Sequence, residues 1–188
     1  MKQEPHMQRL DIKELTLDRI QQLLGPQAPA LSLSEASRAH IEAGRAYLDA
    51  RLARGGEVLY GINTGFGYLC DRQIAPEDLR QLQLNLIRSH ACGLGDEVPA
   101  DLVRLMLLLK IKSLALGHSG VQLATVERLL DFFNHDVLPV VYTQGSLGAS
   151  GDLAPLAHLS LPLLGEGEVR LKGEKMPAAQ ALRQMGWK

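Results

Sequence analysis

Aromatic side chains are scarce in this chain, making up 4% of its 188 residues against 46% hydrophobic residues in all. A core must therefore be filled mostly with Leu, Ala, Val and Ile. Ala and Leu are the strongest helix formers, so that composition favours α-structure. Net charge is equally thin, −1 at neutral pH, which gives no electrostatic footprint for a nucleic-acid or anionic-membrane partner. Only two cysteines occur, Cys70 and Cys92. They have neither C-x-x-C spacing nor histidines nearby in a ligand pattern, which disfavours a metal site. Two free thiols are expected, with a disulfide as the lesser alternative. No apolar run is long and uncharged enough to span a bilayer, and the opening "MKQEPHMQRLDIKEL" is polar from the start, unlike a secretory signal. A cytoplasmic location is the expectation.

What is present reads as helices separated by glycine-rich breaks. "LTLDRIQQLLG" predicts a short helix from Thr16 to Gly25. Ser32-x-x-Glu35 has the form of a capping box opening the next helix, which Gly55-Gly56 ends. Along it Ala36, Ala39, Ala43, Ala46, Ala50 and Ala53 form a small-residue stripe suited to close packing. "EVLYGINTGFGYLC" predicts a strand end and then a structured loop. Pro76 suits the first turn of a helix that puts Leu79, Leu82, Leu86 and His90 on one face. "DLVRLMLLLKIKSLALG" is apolar nearly all round and predicts a buried helix. Ser119-x-x-Gln122 predicts the cap of another, running to about Asn134. The fold class is mainly α, with a few short strands and with glycine loops at 61–67 and 145–151, where chemistry is most plausible.

The second loop, "TQGSLGASGDLAPLAHL" from Thr143 to Leu159, contains no hydrolase pattern, since G-x-S-x-G would need glycine at Asp152. Its Ala149-Ser150-Gly151 can instead react with itself. The Gly151 nitrogen can attack the Ala149 carbonyl carbon, closing a five-membered ring with loss of water. Elimination of the Ser150 hydroxyl as a second water then leaves an exocyclic methylene, a strong electrophile. Gly151 lacks a Cβ, so its nitrogen can approach closely, and Ala149 is too small to obstruct it. Asp152 sits where a helix N-cap belongs, and Pro155 loses no hydrogen bond in a first turn. The positive end of that helix would favour charge developing on the ring oxygen. A bare Ala-Ser-Gly is ordinarily just a turn before a capped helix; the longer context is what singles this one out.

"GSLGASGDLAPLAHLSLPLLGEGE", "YGINTGFG" and "LQLNLIRSHACGLG" together resemble the aromatic amino acid ammonia-lyases, most closely their histidine-specific branch. The resemblance runs from about Leu10 to Lys188, and its one visible departure is Leu147, where valine is frequent. It implies that Ala149, Ser150 and Gly151 form the methylidene-imidazolone (MIO) group autocatalytically, with Asp152 as support and with neither metal nor dissociable cofactor. It also implies an N-terminal MIO domain of the ammonia-lyase/fumarase-like helical superfamily over residues 1–188. Tyr60 would then exchange the substrate β-proton. A free phenol titrates near 10, so it needs adjacent donors or positive charge to act as a base; by itself the sequence suggests a half-buried structural tyrosine. Ser89-His90 is the pair that reads the substrate ring by this resemblance, and Ser-His marks L-histidine as substrate, with trans-urocanate and ammonia as products. A phenylalanine or tyrosine ammonia-lyase or aminomutase is the alternative. So is a catalytically silent fragment acting as a folded or assembly module.

Asn63, Thr64, His118, His135 and His158 receive structural roles, and Glu166-Gly167-Glu168 reads as a solvated turn. Family chains are roughly three times this length, beyond one ordinary domain. The 188 residues are thus expected to stop before the central helical bundle and to be inactive alone. A homotetramer is expected at full length.

Overall fold

The computed structural model describes residues 7–10, 15–65 and 67–187. Most of the polar opening stretch, Phe66 of the first glycine loop and Lys188 fall outside them. Strands β1 (Met7–Leu10) and β2 (Ala30–Leu33) pair in parallel around helix α1 (Leu17–Leu24), which Thr16 caps through the Arg19 amide. Helix α2 (Glu35–Arg54) follows and ends at Gly55. Next come a 3-10 turn at Pro76–Asp78, helix α3 (Leu79–His90) and strand β3 (Leu94–Glu97). Helices α4 (Ala100–Leu114) and α5 (Leu123–Asn134) lead to strands β4 (Val137–Pro139) and β5 (Tyr142–Gln144). The chain closes with α6 (Leu153–Ser160), the hairpin β6 (Glu168–Leu171) and β7 (Glu174–Pro177), and α7 (Ala178–Gln184). Antiparallel β3–β5 and β4–β6–β7 complete the sheets. Helices dominate, in keeping with the mainly α class.

The core lies between α4 and α5. Leu107, Leu108 and Ile111 from one helix meet Val126, Phe132 and Phe133 from the other, all essentially inaccessible. Removing such side chains from water is the main favourable term in folding. Two of the chain's three phenylalanines lie here, Phe132 also stacking on Trp187 at 5.9 Å. Asn134, at the end of α5, accepts from Leu31 N–H and donates to its carbonyl, both at 2.8 Å, clamping β2 to this helix.

Several sequence expectations are corrected. Ser32 pairs with Arg9 in β2, and the cap of α2 is Ser34, whose Oγ accepts from the Ser37 amide at 3.1 Å. The reason is burial: placing both Leu31 and Leu33 in the core keeps the chain extended through Leu33. The alanine stripe of α2 is exposed throughout, while Ser37 and Ile41 turn inward. Close packing on this helix occurs at Gly44 instead, where a Cβ would lie 2.0 Å from the Gly117 carbonyl oxygen. Ser119 caps nothing on α5: Gln122 is extended (ψ 141°) with Val121 half-buried against the core, so the helix begins only at Leu123. Helix α4 is buried on one face only, and Leu102 and Leu109 are exposed on another. The segment before the first glycine loop forms no strand; Thr64, within the loop, makes a single bridge with Gln73. Among the described residues no helix is long and apolar enough to cross a membrane.

Candidate active site

Tyr60 stands on a loop that its own side chains tie together. The Asn63 amide accepts from Leu59 N–H at 2.7 Å and donates to the Glu57 carbonyl at 2.8 Å. Thr64 Oγ1 accepts from Gly61 N–H at 3.1 Å and donates to the Gly65 carbonyl at 2.9 Å. Both side chains are buried, so these bonds satisfy groups that would otherwise be costly to leave unpaired. The Tyr60 hydroxyl accepts from Gly67 N–H at 3.3 Å, and its ring is largely exposed.

Helix α3 connects this loop to the rest of the site. Gln83 donates to the carbonyls of Gly61 and Ile62, both at 3.2 Å, anchoring the Tyr60 loop to the middle of the helix. Two turns further on, His90 Nδ1 lies 2.7 Å from the Leu86 carbonyl, and the Ser89 hydroxyl donates to the same oxygen at 3.1 Å. A carbonyl can only accept, so Nδ1 carries the proton in this contact. Leu79, Leu82, Leu86 and His90 share a half-buried face, as their spacing predicts. Arg88 fixes the outer side of α3 by a paired contact with Glu166 at 2.5 and 3.1 Å. That guanidinium holds the Glu166 carboxyl below its usual range. The Glu166–Glu168 segment is thus not a merely solvated turn, for Glu168 opens β6 and pairs with Lys175 at 2.9 Å.

The Ala149-Ser150-Gly151 loop is exposed and sits immediately before α6. Gly151 has φ of 69°, a conformation L side chains rarely adopt, and the space at its missing Cβ is open. The Ser150 hydroxyl donates to an Asp152 carboxylate oxygen in a very short hydrogen bond. Asp152 does occupy the N-cap position, with its carbonyl accepting from the Leu156 amide at 2.9 Å, but its carboxylate caps no amide. The side chain is committed to Ser150 instead. Pro155 falls in the first turn of α6, where its missing N–H has no helical partner to lose.

The structure thus joins Ser150 to Asp152 in one hydrogen bond and Ser89 to His90 through one carbonyl. Tyr60 is positioned through its own loop and Gln83. Helix α3 packs on α6, so the carriers of His90 and Ser150 are neighbours. A groove of about 650 Å³ opens beside Gly151 and Asp152, walled by Leu102, Met106 and Leu109 of α4. Its wall was visible as an i, i+4, i+7 apolar set, but reading α4 as buried all round hid it. Cys70 and Cys92 are both free and exposed. Among the described residues no three His, Cys, Asp or Glu gather as a metal-ligand set.

Residues 15–188 match the family model for aromatic amino acid lyase. The chain belongs to the aromatic amino acid lyases. It is 48% identical over 172 residues to a histidine ammonia-lyase of Geobacillus thermodenitrificans, covering 92% of this chain and 34% of the relative. A histidine ammonia-lyase of Geobacillus kaustophilus is 57% identical over 131 residues, 70% of this chain and 26% of that one. Among solved structures, histidine ammonia-lyase from Trypanosoma cruzi superposes with a TM-score of 0.84 at 36% identity, over 97% of this chain and 35% of the other. An ergothionase from Treponema denticola gives 0.90 at 27% identity, over 97% and 36%. The chain therefore spans about a third of the length of the curated relatives it matches.

Proposed function

We propose that this chain is the electrophile-forming, N-terminal part of a histidine ammonia-lyase, which converts L-histidine to trans-urocanate and ammonia. The observation that carries the reading is the Ala149-Ser150-Gly151 turn itself. Its serine hydroxyl is engaged by Asp152 and its glycine is left-handed, at the mouth of α6. The high identity to histidine ammonia-lyases supports the choice of chemistry.

Ring closure joins Gly151 N to the Ala149 carbonyl carbon and expels that oxygen as water. The Ser150 α-hydrogen and hydroxyl leave as the second water. Asp152 is placed to accept a hydrogen bond from that hydroxyl and hold it in position. The residues present fit the methylidene-imidazolone: they are small, and open space surrounds Gly148 and Gly151. Once formed, the group would supply a methylene electrophile for the substrate amine, making that nitrogen a better leaving group. Tyr60 takes the β-proton as general base. His90 and Ser89, both bound to the Leu86 carbonyl, form the pair that reads the substrate imidazole. This fits the histidine-specific reading better than a phenylalanine or tyrosine lyase. The full-length enzyme is proposed to be a cytoplasmic homotetramer, an arrangement that would cover exposed Leu102, Leu109 and Leu153.

The test is intact mass and borohydride trapping of the chain at the full length of its relatives, with and without Ser150→Ala. The parent is expected to have lost two waters and to take up label, and the variant to do neither. Equal mass deficits or equal labelling in the two would overturn the proposal.

A further inference from the structure

The turn that follows His90 is held from two sides. Gly93 N–H donates to Nε2 of His158 at 2.8 Å, a buried hydrogen bond between residues far apart in the chain. His158 lies on α6, is 8% exposed, and takes the Tyr142 ring edge-on at 5.2 Å. No side chain fits at Gly93, where a Cβ would fall 2.9 Å from His158 Nε2 and 3.2 Å from the Tyr142 Cβ. From the other side Gly145, the first residue of the electrophile loop, presses on the same turn. A Cβ there would lie 2.8 Å from Gly93 Cα and 3.0 Å from the Cys92 carbonyl oxygen. Three elements therefore close on Gly93: the end of α3, the start of the electrophile loop, and α6 behind it.

The chemistry of this contact is specific. An accepting Nε2 requires a neutral imidazole with its proton on Nδ1. Burial pushes the His158 pKa below its ordinary value, which favours that neutral form. A core histidine that only filled space would not need to receive an amide from the turn carrying the substrate-reading residue. Gly93 is three residues beyond His90, and His158 is eight beyond Ser150. The hydrogen bond therefore adds a polar tie between two short stretches of backbone that the packing of α3 on α6 and the β3–β5 pairing already bring together.

We infer that His158 is a positioning residue for substrate selection: its Nε2 latches the Gly93 amide and so fixes His90 relative to the Ser150 loop. This rests on the proposed roles of His90 and Ser150, and the test separates the two levels. His158→Leu removes the acceptor while keeping an apolar side chain, and His158→Gln returns an acceptor at the Nε2 position. Both are made in the full-length chain and read by amide hydrogen exchange at Gly93, by intact mass, and by kcat and KM for L-histidine. In His158→Leu the Gly93 amide should lose protection and KM should rise about three- to tenfold, the scale of one net hydrogen bond, with kcat held within about twofold. The mass should still show two waters lost. His158→Gln should restore both protection and KM.

A His158→Leu chain with parental KM overturns the inference, whether or not Gly93 loses protection. So does a rise in KM that His158→Gln fails to reverse, which would mark a packing effect. If His158→Leu does not fold, Gly93→Ala displaces the same contact from the opposite side and must raise KM likewise; an unchanged KM there overturns the inference. Absence of urocanate from the parent would refute the proposed function, and with it the substrate role. Protection at Gly93 would then still report whether the latch exists.

Discussion

The Tyr60 loop is secured over residues 57–65 by buried polar side chains, whereas the loop at 145–151 is secured at its ends and open between them. In the first, Asn63 and Thr64 are buried and make four hydrogen bonds to the loop backbone. Ile74 N–H then closes the loop on the Asn63 carbonyl at 2.9 Å. In the second, Gly145 is wedged against Gly93 and Asp152 begins α6, but Leu147 is fully exposed and a Cβ at Gly148 or Gly151 would have no atom within 4 Å. A residue that must hold a proton-transfer geometry gains from a prebuilt frame, because small misplacements are costly in rate. A tripeptide that must fold back on itself to form a bond gains from room to move. The contrast between the loops matches the two roles proposed for them.

The largest effect expected from this contrast is at Tyr60. Tyr60→Phe keeps the ring and loses the hydroxyl that accepts from Gly67. In the full-length enzyme turnover of histidine should fall about 10²–10⁴-fold, the range for a general acid–base group. The two-water mass deficit should remain, because the other loop is untouched. A loss below tenfold would make Tyr60 a structural residue and remove the reason for its rigid frame.

Next in size is the frame itself. Asn63→Ala removes the side-chain amide, leaving the Leu59 N–H and the Glu57 carbonyl without that partner. The expected cost is about 1–3 kcal/mol, the penalty for unsatisfied buried polar groups. Urea unfolding of the 188-residue chain measures it. A change under about 0.5 kcal/mol, the scale of an ordinary surface substitution, would mean the frame is not held by Asn63.

How much of this was readable beforehand follows from the range of the forces involved. The helices, the glycine breaks and the face of α3 ending at His90 come from local periodicity, and they appear as expected. The misplaced caps at Ser32 and Ser119 have a common origin. Each has a good local pattern, and each loses to the tertiary burial of neighbours, Leu31 and Leu33 in one case and Val121 in the other. Asp152 fails in a subtler way, since its position is right for a cap while its carboxylate is drawn to Ser150. Contacts such as His158 with Gly93 or Gln83 with Gly61 join segments far apart in sequence, and a single chain carries no pattern that announces them. The tripeptide proposed to form the electrophile stands out in the sequence because the chemistry it would perform is local, its three residues being consecutive.

The smallest expected effect compares two glycines of the open loop. Gly148 has no atom within 4 Å of where a Cβ would stand, and its φ lies outside the left-handed region. Gly148→Ala should therefore leave the stability of the 188-residue chain within about 0.5 kcal/mol of the parent. Alanine restricts the unfolded chain more than glycine does, which acts toward a slight gain. Gly145, three residues earlier, has φ of 121° and a backbone atom 2.8 Å from its missing Cβ. Gly145→Ala must strain the backbone and push the Cys92–Gly93 turn aside, at a cost of at least about 1 kcal/mol. Denaturant midpoints of the two variants, taken side by side, read the difference directly. Equal midpoints would mean that the loop is no better anchored at Gly145 than at Gly148, and the distinction between its fixed end and its free middle would fail.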